Sequence, residues 1–412
     1  MSSEANEIYK EIWRDIVWSH NDLPTINIPL IYYTSDALGS HWEFKLDGDV
    51  KAKRMLYRGQ EFSNVEYALA LSLPGDLVMK PIKVKVGDAE LEGECDFHFF
   101  GSIPCNFKVT GKKGVIKPAQ FLALLNPDLK ESLETLSFQD GTTFDCQGTF
   151  FLNGADSLEI TGNVNSPKCS FRDWTFYDTK ATWIYENNQA FWNTEKATFM
   201  GGEFRTTGVH NIITRTTDLV CVGKEMSWEE FMKRVFKDKK KEYDNVPGRF
   251  NLTCNLQVKQ DWAGHPYQLG GDGHFSLRNA DLWQMPLMKQ LSHLVEVTTF
   301  KLFSSNKNSK NSNTFGSISA LKANVEFHGP RIVVTDFNTN GTIIALSGAG
   351  EYNTFNDNVH FEVNGSPLKE VTILSTLLKP LSWCFNAELQ GKRSEAKWKM
   401  KTALSKIFST ED

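Results

Sequence analysis

Apolar and polar residues alternate with a period of two along much of this chain. Trp42, Phe44 and Leu46 alternate with charged side chains. Runs with the same spacing of apolar residues are found at Leu69, Leu71 and Leu73 and at Val359, Phe361 and Val363. Because successive side chains of a strand point to opposite faces of a sheet, each run predicts a strand with one apolar face. One solvated face is typical of antiparallel sheets.

Turn signals separate these strands at short intervals. Pro74-Gly75-Asp76 follows one alternating run directly. The other signals are Asp140-Gly141, Asn153-Gly154, Asn340-Gly341 and Asn364-Gly365. Such pairs favour tight turns between antiparallel strands. Hairpins and meanders are therefore expected throughout the chain.

Helical periodicity is confined to short stretches. They are residues 6–18, the residues after Pro118, residues 227–243, residues 286–300 and residues 367–378. Ser227 and Glu230 have the spacing of a capping box, which starts a helix. The last two stretches have Pro near the first turn, as helices commonly do. The fold class predicted from these patterns is mainly β, with a repetitive antiparallel sheet and a few short amphipathic helices.

A weak internal repeat suggests how the strands are organised. Shifting the chain by 114 residues aligns Gly48 with Gly162 and Gly87 with Gly201. It also aligns Val50 with Val164, Tyr57-Arg58 with Phe171-Arg172, and Phe62 with Phe176. The matches fall on turn glycines and apolar strand positions, where a shared strand plan would place them. The predicted division is an N-terminal helix and lead-in strand over residues 1–40, β-repeat units over 41–136 and 137–250, each with a helix, and a C-terminal unit over 251–412.

Charge and motif content disfavour several functional classes. The formal net charge of −5 gives no global field that would attract nucleic acid, so no nucleic-acid partner is expected. The nine histidines, among them His98, His210, His274 and His328, show no metal-binding spacing, and no GxSxG motif occurs. No enzymatic activity, catalytic residue, metal site or cofactor is predicted. The seven cysteines lack CxxC spacing and are expected to be mostly buried free thiols.

The C-terminal part of the chain has a more specific pattern. Residues 271–288 read as a glycine turn, a strand and a helix that starts at Pro286. Strand-like segments follow at 315–327, 331–337 and 343–352, and a closing segment at 381–391 precedes Lys397-Trp398. This pattern resembles the C-terminal region of the AsmA-like family of bacterial cell-envelope proteins. The resemblance is clear over residues 250–400, whereas residues 40–220 share only the strand plan.

The resemblance implies a fold and a function. The fold is an elongated, repetitive antiparallel sheet curled into a groove or half-pipe that holds acyl chains. The function is carriage of phospholipid between inner and outer membranes in the periplasm. Phospholipid, a membrane surface and other envelope proteins are then the expected partners. The family normally begins with a membrane-anchoring helix, which is missing here, so the chain is expected to be a C-terminal portion or to have a misassigned start.

An alternating sheet must bury its apolar face against something, and five short helices are a sparse cover. The apolar stripe that an open groove would offer to acyl chains consists of Trp42, Phe44, Leu46, Leu69, Leu71, Leu73, Phe327, Phe361 and Val363. In the alternative interpretation this stripe closes on itself as the core of a sandwich or barrel. The protein would then be a structural or adhesive β-repeat that binds a protein or glycan. A hydrolase acting on envelope polymers is a more distant alternative.

The two C-terminal amphipathic helices have alternative roles. Their apolar faces comprise Leu287, Leu291 and Leu294 in the first helix and Leu368, Val371, Leu374 and Leu378 in the second. These faces either cap the open end of the sheet, as in repeat proteins, or contact a membrane and gate the groove. The basic run Lys237, Lys239, Lys240 and Lys241 has a similar ambiguity. It suits anionic headgroups, but it also suits a solvated helix end.

Overall fold

The computed structural model describes most of the chain. The described residues are 16–18, 22–35, 42–73, 75–99, 103–122, 130, 133–151, 154–235, 246–260, 266–284, 288–294, 318–342, 344–367 and 385–401. They form 22 strands, and the strand pairs whose register is resolved are all antiparallel. The mainly β fold class predicted from alternation is therefore confirmed.

The chain divides into two compact units. Unit 1 comprises residues 1–198 and 205–215, and unit 2 comprises residues 199–204 and 216–412. The division falls within β12 (Gln189–Phe199) and β13 (Gly202–Asn211). The four-part division into repeats stays a prediction.

Unit 1 is a series of hairpins. Its other strands are β1 (Ile16–Trp18), β2 (Thr25–Ser35), β3 (Trp42–Tyr57), β4 (Gln60–Leu73), β5 (Asp76–Val86), β6 (Ala89–His98), β7 (Cys105–Lys113), β8 (Ser137–Phe138), β9 (Thr143–Phe151), β10 (Gly154–Phe171) and β11 (Trp174–Glu186). Helix α1 (Ala119–Leu122) follows Pro118, as predicted. Strands from β2 to β7 pair in chain order, and β7 then pairs with β9.

The helix predicted over residues 6–18 is wrong at its C-terminal end. Ile16–Trp18 is a strand that pairs antiparallel with the C-terminal end of β3. Trp18 packs against the core of unit 1, while Val17 is exposed. This short segment therefore follows a period of two, and its pairing with β3 outweighs local helical spacing. Residues 6–15 lie outside the described residues.

The residues matched by the 114-residue shift occupy equivalent places. Gly48 in β3 and Gly162 in β10 are strand residues, and the matched arginines, Arg58 and Arg172, both lie in hairpin turns with positive φ (48° and 51°). Gly87 and Gly201 also occupy turns with positive φ, 56° and 67°. A positive φ strains most side chains, so these turns favour glycine. The β3–β6 and β10–β13 segments thus share a strand plan.

The core of unit 1 lies toward one end of its strands. Helix α1 places Phe121 and Leu122 beside Phe144, and the Phe121 and Phe144 rings meet edge to face with centroids 5.6 Å apart. Ile116 bridges to Phe138 through two backbone hydrogen bonds and is completely buried. Aromatic and aliphatic side chains therefore close this end of the sheet.

Unit 2 has the same antiparallel plan. Its strands are β14 (Thr216–Ser227), β15 (Arg249–Gln260), β16 (Pro266–Arg278), β17 (Ile318–Gly329), β18 (Arg331–Gly341), β19 (Ile344–Asn353), β20 (Asn358–Pro367), β21 (Phe385–Lys392) and β22 (Lys397–Met400). Its helical segments are α2 (Trp228–Val235), a 3-10 turn (Leu282–Gln284) and α3, residues 288–294. From β14 to β22 each strand pairs with the next.

The predicted start of helix α2 is confirmed. The Glu230 backbone N–H donates to Ser227 Oγ at 3.3 Å, as an N-cap requires. One turn later, Lys233 Nζ lies 2.6 Å from Glu229 Oε1. Trp228 stacks on Phe231 and turns the apolar side of the helix into the core of unit 2. Residues 236–245, which include the basic run, lie outside the described part of the chain.

Several glycines predicted to form turns instead lie inside strands. Gly365 of the predicted Asn364-Gly365 turn lies in β20, and Gly271 lies in β16. A Cβ atom on Gly365 would overlap the ring of Phe385, and one on Gly350 would overlap the ring of Phe361. Gly365 and Gly350 thus leave room for an aromatic ring of the neighbouring strand, whereas a Cβ on Gly271 would meet the backbone oxygen of Asn255. This packing role, rather than a turn, explains the composition of these strands.

Candidate functional site

The register of β3 and β4 brings the first predicted stripe residues together. Phe44 lies opposite Leu73, and Leu46 lies opposite Leu71. Leu69 lies opposite Gly48, which carries no side chain. Residues opposite each other in an antiparallel pair share a face, so these side chains lie on one face of the sheet. We call it the inner face of unit 1, and alternation places Trp42 on it as well.

The inner face continues onto the next strands. Leu71 lies opposite Leu77, which in turn lies opposite Phe97. Leu69 lies opposite Met79 in the same way. The predicted stripe is thus part of a wider apolar surface that extends from β3 to β6.

Accessibility increases along this face away from the core. Near α1, Val65 and Phe144 are 1% exposed. Toward the other end of the strands, Phe44, Leu71 and Leu73 are only half-buried. The inner face is therefore closed near α1. At its other end it is accessible along β3 and β4, whereas Leu77 in β5 is only 5% exposed.

Strand β2 extends the apolar surface to its most exposed part. Ile26, Ile31 and Tyr33 lie opposite the inner-face residues Val50, Leu46 and Phe44, respectively. Their exposed fractions are 56%, 62% and 64%. We define the open apolar stripe as Ile26, Ile31, Tyr33, Phe44, Leu46, Leu69, Leu71 and Leu73.

The three β2 members of this stripe were missed by sequence reasoning. The segment Ile28-Pro29-Leu30-Ile31-Tyr32-Tyr33 is apolar at consecutive positions, so it has no period-two signal. The register with β3 shifts between Asn27 and Leu30, around Pro29, which breaks alternation further. The available signal was an 11-residue strand sequence without any charge.

The remaining stripe residues lie in unit 2, where their surroundings differ. Phe327 lies opposite Ile332, and Phe361 lies opposite Gly350; both rings are half-buried. Val363 is 3% exposed and belongs to the core of the unit. In unit 2 the predicted stripe is therefore partly a closed core.

The apolar face of the first C-terminal helix packs into the core of unit 2. Leu291 in α3 is completely buried, and Leu294 is half-buried. This placement supports the capping role for α3. Leu287, Leu368, Val371, Leu374 and Leu378 lie outside the described residues.

A polar hollow of about 480 Å³ lies on the opposite face of unit 1. Glu94, Asp96 and Glu159 contribute carboxylates to it, and Lys108 contributes an ammonium. Lys80 pairs with Glu94 at the same face. The hollow contains these charged groups and is separate from the open apolar stripe.

One group of side chains in the described part of the chain has the spacing of a metal site. His360, Glu362 and Glu388 bring their ligand atoms within 4.8 Å of one another. Lys401 pairs with Glu362 and lies 3.4 Å from Glu388. Partial burial raises the pKa of Glu388, but the hydrogen bonds from His360 and Lys401 lower it below its ordinary value overall. The Lys401 ammonium thus already supplies a cation to this cluster.

The histidines considered in the sequence have ordinary local partners. His98 Nδ1 lies 2.7 Å from Asp76, and His274 Nδ1 lies 2.9 Å from Asn324 Oδ1. His328 Nε2 lies 2.8 Å from Glu326. Burial, followed by the charges of Arg215 and Arg172, lowers the pKa of His210. These contacts are consistent with structural or surface roles.

No protein-family model, curated protein or solved structure matches this chain. None of the helices formed by the described residues combines the length and hydropathy that a membrane span requires.

Proposed function

We propose that this protein is a non-enzymatic lipid carrier, and that the open apolar stripe of unit 1 binds phospholipid acyl chains. The observation that carries the proposal is an in-register apolar surface that stays accessible up to Ile31 and Tyr33. Contiguous exposed apolar surface of this kind marks ligand, membrane or protein contacts. Among these, the AsmA-like pattern of residues 250–400 favours a lipid ligand. It also favours a location in the bacterial cell envelope.

The chemistry of the stripe suits an acyl chain. Its members are aliphatic and aromatic, and charged residues such as Lys45 and Asp47 are on the other face of β3. Each methylene removed from water contributes about 0.8 kcal/mol, whether it enters a bilayer or an apolar protein surface. Transfer between the two is therefore nearly balanced, which permits release as well as uptake.

The test is uptake of a fluorescent phospholipid from vesicles by the purified chain, with mass spectrometry of co-purified lipid. We expect the wild type to carry phospholipid and the double variant Phe44→Asp/Leu73→Asp to lose most uptake, because it places two carboxylates at the accessible end of the inner face. The matched control is Leu56→Asp on the other face of β3, where Leu56 is 41% exposed. It should bind as the wild type does.

Circular dichroism and urea unfolding keep the test interpretable. A folded double variant that still takes up lipid, or a folded wild type that takes up none, would contradict the proposal. If the double variant unfolds, the single variant Tyr33→Asp at a 64% exposed position replaces it.

A structural or adhesive role has one observation in its favour. Much of the inner face of unit 1 is buried core, including Phe144, and in unit 2 the predicted stripe residue Val363 is also core. If the whole face serves as core, the Phe44→Asp/Leu73→Asp variant should unfold while Tyr33→Asp behaves as the wild type in every assay.

A further inference from the structure

Strand β2 is an edge strand of unusual composition. Within the described residues it pairs with β3 alone, and all 11 of its residues are exposed. It contains no charged side chain, whereas every other described strand of more than three residues contains at least one. The unpaired backbone groups of such an edge are a template for another strand.

The last strand of unit 2, β22, has features that protect an edge against the addition of another strand. β22 has four residues and exposes Lys397 and Lys399, and Lys401 follows it directly. Short length and lysine are standard means of preventing strand addition. β2 has neither of these. Pro29 and the register shift beside it protect only the first part of the strand, so the uncharged edge after Pro29 is suited to a partner strand that is also uncharged.

We propose that β2 pairs antiparallel with β2 of a second copy of this chain, with Tyr32 on the twofold axis. Among the described strands long enough to pair, β2 is the one that matches this uncharged edge. In this register Ile31 lies opposite Tyr33 of the second copy, and Leu30 lies opposite Thr34 of the second copy. The paired run begins after Pro29, where a missing N–H and the register shift interrupt the ladder.

The register keeps the two faces of the sheet distinct. Ile31 and Tyr33 belong to the inner face, so the two Ile31–Tyr33 contacts form there. Leu30, Tyr32 and Thr34 share the other face. On that face Leu30 lies opposite Thr34 of the second copy, and Tyr32 lies opposite its own equivalent. Aromatic pairs with β-branched residues are among the stabilising cross-strand contacts. A shift of the register by one residue would break this match, because inner-face residues of one copy would then be aligned with other-face residues of the second copy.

The consequence is a symmetric dimer whose two inner faces adjoin across β2. A pairing about a twofold axis is self-limiting, because each copy uses its single β2 edge. The pairing itself does not depend on lipid, so it can be tested independently of the proposed function.

Sedimentation velocity and light scattering of the full chain over a range of concentrations provide the first test. We expect a species of twice the 46.7 kDa chain mass at high concentration. Tyr32→Lys should convert it to monomer, because two ammonium groups would meet on the axis. Leu56→Lys, at a similarly exposed apolar residue on the same face, should leave the dimer intact.

Crosslinking tests the register. Tyr32→Cys should form a disulfide with its own counterpart under mild oxidation, because directly opposite Cα atoms lie about 4.5–5.5 Å apart, within the range that a disulfide spans. Thr34→Cys should not, since its counterpart lies four residues away along the strand. The linked peptide is identified by mass spectrometry, with the wild type as the control for native cysteines.

Three results would overturn the inference. They are a wild-type chain that stays monomeric at all concentrations, a dimer that Tyr32→Lys leaves unchanged, and growth into open-ended oligomers. Phospholipid uptake is measured separately on the Tyr32→Lys monomer. Uptake by that monomer would show that carriage does not require the dimer, and failure of one proposal would leave the other standing.

Discussion

At the residue scale, the cores of both units contain pairs formed by a glycine and an aromatic ring. Gly162 faces Trp183 in unit 1, and Gly365 faces Phe385 in unit 2. In each pair the ring occupies the volume that a Cβ on the glycine would need. Protein interiors are close-packed, so an added methyl group at such a position forces the neighbouring side chains or backbone to move.

Replacing Gly365 by Ala should therefore lower the free energy of unfolding by about 1–3 kcal/mol, because Phe385 is buried and cannot move freely. Gly270→Ala is the matched control, since its added Cβ would meet Gln257 at an ordinary 3.7 Å. Urea unfolding measures both. Equal stability of the two variants would show that the ring of Phe385 adapts.

Buried thiols give a second prediction at this scale. Burial raises the pKa of the thiols of Cys146 and Cys169 to about 12 in each case. Since the thiolate is the reactive form, both should resist alkylation in the folded protein at pH 8 and react fully in urea. Peptide mass spectrometry of the alkylated sites measures this. Fast native labelling of Cys146 would mean that β9 opens locally.

At the element scale, helix α3 is an integral part of the core of unit 2. Leu291 is completely buried there, among residues such as Trp228 and Phe250. Leu291→Ala should cost about 2–5 kcal/mol of stability, as cavity-forming substitutions do. The exposed neighbour Gln290→Ala should cost almost nothing. A small effect of Leu291→Ala in thermal unfolding would instead fit a helix that leaves the core easily, as a gate must.

Sequence patterns predicted elements best where side-chain contrast was strong. The alternating runs of β3, β4 and β20 were located correctly, and so was the start of α2 at Ser227. The turn predicted at Asn364-Gly365 was wrong because glycine is favoured both in tight turns and beside a packed aromatic ring, and the sequence does not distinguish the two. It failed at Ile16–Trp18 because three residues form a strand only through their partner β3.

At the scale of the whole molecule, the sequence predicted the fold class and most of the candidate site in unit 1. It could not separate the accessible part of the inner face from the buried part. Phe44 and Phe144 are the same residue type, and only the position of α1 makes the second one core. Accessibility depends on contacts distant in sequence, which local periodicity does not contain.

The half-buried pair of Phe361 and Gly350 also affects how rough its face of the unit 2 sheet is. The ring of Phe361 occupies the space that a Cβ on Gly350 would need, so it fills the gap beside that strand. Roughness on the scale of a side chain acts as a series of energy barriers for any chain-like guest that slides across a surface. A level surface lowers those barriers while it keeps the area of contact. For the acyl chain that we propose as the guest, a filled gap of this kind would keep the area of contact and lower the barriers to sliding.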